Sequence, residues 1–152
     1  ALILTQILYK KADLTMVLNG ALAGLVSITA EPLTPSLGVA TIIGGVGGLI
    51  VVVSVPLLDK FKIDDVVGAI PVHLIAGIWG TLAVVLTNSD ATLTAQLTGI
   101  LTVGIFTFVV SYVVWFIIDK IMGIRVSPES EEAGLDKSEL GMEAYPEFSS
   151  QG

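Results

Sequence analysis

Between Asp65 and Asp90 the only ionisable side chain is one imidazole, that of His73. A run this long and apolar is enough to cross a bilayer as a helix, which takes about 20 predominantly apolar residues. His73 is the single histidine in the chain, so any imidazole chemistry runs through it. An ionisable group at that depth is expensive, and where one persists it usually faces a cavity or a transport path. The competing reading is a buried histidine that merely bonds a neighbouring helix. In a soluble core that second reading would lead; in a membrane span the first does.

Composition supports the membrane class. Apolar residues make up 53% of the chain and charged residues 14%, against about 25% charged in ordinary soluble domains. There is no cysteine, hence no disulfide framework, zinc–thiolate site or thiol nucleophile. The net charge of −7 is concentrated at one end. Residues 126–152 hold Glu129, Glu131, Glu132, Asp136, Glu139, Glu143 and Glu147 against Lys137. The acidity belongs to a tail, and nothing in the pattern suggests nucleic-acid binding.

Four spans are read along the chain: about Leu14–Ala30, Leu37–Leu58, Val66–Leu86 and about Thr94–Ile118. Ahead of them, Ala1–Tyr9 is apolar but too short to span. It has neither the charged start nor the cleavage site of a signal peptide, and reads as the end of a truncated helix. Lys10 and Lys11 precede the first span, Lys60 and Lys62 join the second to the third, and Lys120, Arg125 and Lys137 follow the fourth. The two other loops, Glu31–Ser36 and Thr87–Leu93, have no Lys or Arg. If the spans alternate, all the basic residues fall on one side, which the positive-inside rule makes cytoplasmic. The domain reading is membrane helices over 1–124 and an acidic cytoplasmic tail over 125–152. Ser127–Gly152, poor in apolar surface, is expected to order only by docking, near Lys60 and Lys62 of its own or a neighbouring subunit.

Gly20 and Gly24, and Gly44 and Gly48, are small-xxx-small pairs that let helix backbones approach closely. A nucleotide-binding reading of the glycines fails, since they lie inside an apolar span and the third glycine of G-x-G-x-x-G is missing. Around His73, helical spacing puts Ala69, Ala76, Gly77 and Gly80 on one small-residue face. Pro71 cannot bond the carbonyl of Val67, so a bend or a free carbonyl is expected there; in a membrane such backbone is tolerated where it is buried or lines a cavity. Asp64 and Asp65 read as caps of the third span. Asn19 reads as an interhelical hydrogen-bonder, Tyr112 and Trp115 as an interfacial belt, and Trp79 as a packing residue. No carboxylate pair, Ser–His–Asp set or metal constellation can be assembled, so neither an enzyme nor a cofactor is expected.

At this point the residues carry a resemblance. Asp64-Asp-Val-Val-Gly-Ala-Ile-Pro-Val-His73, followed by Gly77-Ile-Trp-Gly-Thr81, resembles the penultimate-helix motif of the ammonium transporters, the Amt family of the Amt/Rh superfamily. Asn19–Thr29 resembles that family's eighth helix. Gly123–Asp136, continuing to Gly141-Met-Glu-Ala-Tyr145, is similar to its cytoplasmic tail and favours the Amt branch. The resemblance implies an all-α fold of eleven membrane helices, of which this chain supplies the end of the seventh, the eighth to eleventh and the tail. It implies a homotrimer in the cell membrane, with one ammonium or ammonia pore per subunit. His73 matches the second of the family's twin pore histidines, Thr29 a position on the inner part of the path, and Ala69 an apolar pore-wall residue. Gly134, Asp136, Gly141 and Tyr145 match the regulatory tail, where a PII-type signalling protein is a possible partner. The first histidine and the external recruitment site belong to the half this chain lacks. Leu74 stands where the family usually has glycine, and Leu140 where it has histidine. An ammonium sensor of the same fold, signalling through its tail, is the alternative function.

Overall fold

The computed structural model describes Ala1–Pro146 and forms only helices among those residues. Helix α1 is Leu2–Tyr9, α2 Leu14–Ile28, α3 Leu37–Lys60, α4 Ala76–Thr87, α5 Leu93–Met122, α6 Pro128–Ala133 and α7 Leu135–Ser138. A π-helical segment, Ile70–Ile75, runs directly into α4, so that 18 residues form one continuous, largely apolar span. Three helices are long and apolar enough to cross a membrane: Leu37–Lys60, Ile70–Thr87 and Leu93–Met122. The fourth expected span, α2, has 15 residues and at 1.5 Å per residue reaches about 22 Å. The third span starts at Ile70 rather than Val66, because Gly68 adopts a left-handed conformation that the sequence reading did not anticipate.

The caps follow from local chemistry. Asp13 accepts the Met16 N–H at the start of α2, and Ser36 the Val39 N–H at the start of α3, each satisfying a donor the helix leaves unbonded. Two compact units are distinguished, Ala1–Gly104 and Ile105–Gly152. This boundary of packing falls inside α5, whereas the one read at 124/125 is a boundary of composition.

The first unit is built on the α2–α3 pair. A Cβ added at Gly24 would stand 3.3 Å from the Gly44 carbonyl oxygen, one at Gly44 3.3 Å from the Gly24 oxygen, and one at Gly48 3.4 Å from the Gly20 oxygen. The two small-residue pairs therefore face each other across the helix crossing, as their spacing predicts. Ala23, Val51, Val72 and Ala76 form the buried cluster beneath, with Met16, Val26 and Val55 against it. In the second unit Tyr112 and Phe116 stack at 6.5 Å, and the Lys120 ammonium lies 5.5 Å from the Phe116 ring centre.

Candidate functional site

The geometry around His73 is set by the eight residues before it. Both carboxylate oxygens of Asp65 accept backbone N–H groups at 2.8 Å, one from Ala69 and the other from Ile70. That makes Asp65 a two-pronged cap on the helix start; no comparable bond is seen for Asp64. Proline at position 71 leaves the Val67 carbonyl without its helical donor. The Asn19 side-chain amide, from α2, donates to that oxygen at 2.9 Å. Between them Gly68 has φ +77°, and a Cβ there would stand 2.6 Å from Asn19 Nδ2. Only glycine meets both demands without strain. The turn into the helix is thus tied to α2 by one side-chain hydrogen bond and closed on itself by two.

Above this turn the backbone bonds from i to i+5, as in the Ala76 N–H donating to Pro71. A π-turn shifts the register of everything that follows by one residue, and such turns recur at functional sites. The effect here is to divide the small-residue face read from the sequence. Ala69 and His73 are exposed on this chain. Ala76 is fully buried in the core cluster, and Gly80 is pressed on α2 so closely that a Cβ would stand 2.6 Å from the Ser27 carbonyl oxygen. The single small face of the sequence reading is therefore corrected to two: one exposed, carrying His73, and one packed on α2.

Hydrogen bonds between α2 and the π–α4 span order the residues along the helix axes. Asn19 pairs with Val67, Ser27 packs on Gly80, and the Asn88 amide donates to Glu31 at 2.6 Å. Lys10, Lys11, Lys60 and Lys62 accordingly gather at one end, and the loops Glu31–Ser36 and Thr87–Leu93 at the other. Thr29 is exposed and lies on the Asn88 side of His73, its hydroxyl donating to Val26 at 2.7 Å.

Among the described residues the tail forms a local fold around Asp136. The Asp136 carboxylate accepts the Ala144 and Lys137 N–H groups, each at 2.9 Å, and Lys137 pairs with Glu143. Donation from Ala144, then from Lys137, holds the Asp136 carboxyl below the usual aspartate range. Donation to the Glu143 carboxylate, then the charge of that group, pushes Lys137 up. Gly134 and Gly141 both have positive φ, +94° and +66°, and a Cβ at Gly134 would stand 2.7 Å from Asp136 Oδ1. Tyr145 is exposed beside this turn. Glu147, counted among the tail's acids, lies outside the described residues.

A profile of the Ammonium Transporter Family matches residues 1–145. This chain belongs to the ammonium transporter family. A Synechocystis sp. relative is 42% identical over 134 residues, 87% of this chain and 30% of that protein. The ammonium transporter Amt2 of Archaeoglobus fulgidus is 36% identical over 168 residues, 97% of this chain and 36% of its own. A solved structure titled Sensor Amt Protein superposes with a TM-score of 0.84 at 29% identity, over 91% of this chain and 37% of that one. The chain thus spans about a third of the length of the relatives it matches, and its all-helical architecture is that of the ammonium transporters.

Two polar links of this transporter-family chain escaped the sequence reading. Trp79 does more than pack: its indole N–H donates to the Ile43 carbonyl on α3 at 3.0 Å. Glu31 accepts at 2.6 Å from both Thr34 and Asn88, clasping the two lysine-free loops together. The only sequence signal for either was a polar atom in an otherwise apolar neighbourhood, which needs a partner when buried.

Proposed function

We propose that the protein of which this chain is part moves ammonium or ammonia across the cell membrane, with His73 on the wall of the path. The observation that carries this reading is the tied π-turn. It fixes the chain's one imidazole on a face that this chain leaves open, within a span apolar enough to cross a bilayer. Ammonium gives up its proton on the outside, because an ion pays heavily to enter an apolar conduit and neutral ammonia pays little. A ring nitrogen of His73 then meets the passing molecule. Ala69, one turn before, is a wall residue, and Thr29 lies further along. No covalent step occurs, so the protein is not an enzyme.

The rest follows from the family likeness and the charge pattern: a homotrimer, a cytoplasmic C-terminus, and a regulatory tail of Gly134, Asp136, Gly141 and Tyr145 open to a PII-type partner. Reconstitution of the full-length protein in liposomes tests the substrate. An inward ammonium gradient is expected to drive uptake above that of empty vesicles, and equal rates would refute transport. An ammonium-responsive signalling output from full-length protein that moves no ammonium would establish the sensor function instead.

A further inference from the structure

The Glu31 carboxylate divides its work unequally. Oε1 accepts from Thr34 and from Asn88, while Oε2 is buried and receives no donor from the described residues. Glu31 borders a cavity of about 10 Å³ between the ends of α2, α3 and α4, lined also by Ser27, Ile43, Ala83 and Thr87. A space of about 10–15 Å³ holds one water, provided the walls offer it polar partners. Here they offer acceptors only. The Ser27 hydroxyl spends its proton on the Ala23 carbonyl at 2.6 Å, and the Thr87 hydroxyl on that of Val84 at 3.2 Å. Whatever satisfies Oε2 must therefore be a donor, small enough for one position.

We infer that Glu31, Ser27 and Thr87 hold a single structural water whose protons go to Oε2 and to one of the hydroxyl oxygens. The charge and size of the site also admit an ammonium ion, but four N–H donors would face three side-chain acceptors, leaving one unmatched inside protein. Water, with two donors, is matched. The water extends the Glu31–Asn88 clasp from the two loops into the helix ends, so that α2 and α4 are joined at this end by a polar chain and at the other by Asn19 and Val67.

A high-resolution map of the full-length protein, prepared with and without ammonium, tests the site. One solvent peak at about 2.7–3.0 Å from Oε2 is expected at full occupancy in both preparations. No anomalous signal should appear there after soaking with thallium, a monovalent-cation probe. A map without density at Oε2 would overturn the inference. Density that depends on ammonium, or a thallium peak, would overturn it too by making this a cation site.

Discussion

Helices α3 and α5 have the same mean hydropathy over their most apolar windows, 2.3, yet a third of the α3 window is buried and none of the α5 window is. Hydropathy measures fitness for lipid and says nothing about which helix takes a partner, since lipid is as apolar as leucine. Within this chain the difference goes with where the small residues fall. On α3, Gly44, Gly47 and Gly48 each meet the backbone of α2 or α1, whereas a Cβ at Gly99 or Gly104 of α5 would meet nothing. Glycine content alone is not a packing signal; glycines four apart, facing a second such pair, are.

The comparison breaks most directly at Gly80 and Gly104. Gly80→Val puts its new Cβ into the Ser27 backbone, which cannot swing aside as a side chain can. Overpacking of this kind costs about 1–3 kcal/mol or more, so a marked loss of folded full-length protein in detergent is expected. Gly104→Val, whose Cβ meets nothing within this chain, should cost less. Equal damage at both positions would show that α5 packs as tightly as α4 against something outside this chain.

Gly68→Ala comes next. The left-handed conformation costs a residue with a Cβ about 1–2 kcal/mol, and the methyl also displaces the Asn19 amide from Val67. A drop of several degrees in melting temperature is expected. An unchanged melting temperature would mean that the turn before the π-segment is not held as described.

Much of this architecture was legible in the chain itself. Charge-free runs gave the long helices, Gly20, Gly24, Gly44 and Gly48 their contact, and Asp65 its cap. The Pro71 argument also foresaw a carbonyl in need of a donor at Val67. What could not be read was which donor supplies it, because Asn19 lies 48 residues away and no local pattern reports a contact across that distance. The π-turn was equally hidden. Counting by 3.6 residues carries the His73 face onto Ala76 and Gly80, and the extra residue in one turn breaks that count. The turn in the tail was hidden for another reason: nothing in the spacing of its acids shows that the Asp136 carboxylate accepts two N–H groups of its own loop.

The smallest expected effect is in that tail. Because Asp136 is held below its ordinary value of 3.8, its contribution is complete above that pH and is lost as pH falls through the lowered value. Lys137, raised above 10.5, contributes below that pH and stops as pH rises through the raised value. Amide hydrogen exchange at Ala144, once corrected for intrinsic rates, should therefore show constant protection from about pH 5 to 9. Asp136→Asn, which keeps one acceptor oxygen of two, should reduce that protection modestly. No change at Ala144 would refute the Asp136 turn.

The central claim, that the tied π-turn holds His73 to a transport path, is tested most directly by methylammonium uptake in the full-length protein carrying His73→Ala, measured beside the yield of assembled protein. The account predicts normal assembly with a clearly altered uptake rate. Lost assembly would mark His73 as a structural histidine whose partner is left unbonded. Wild-type uptake by a well-assembled variant would contradict the pore role outright.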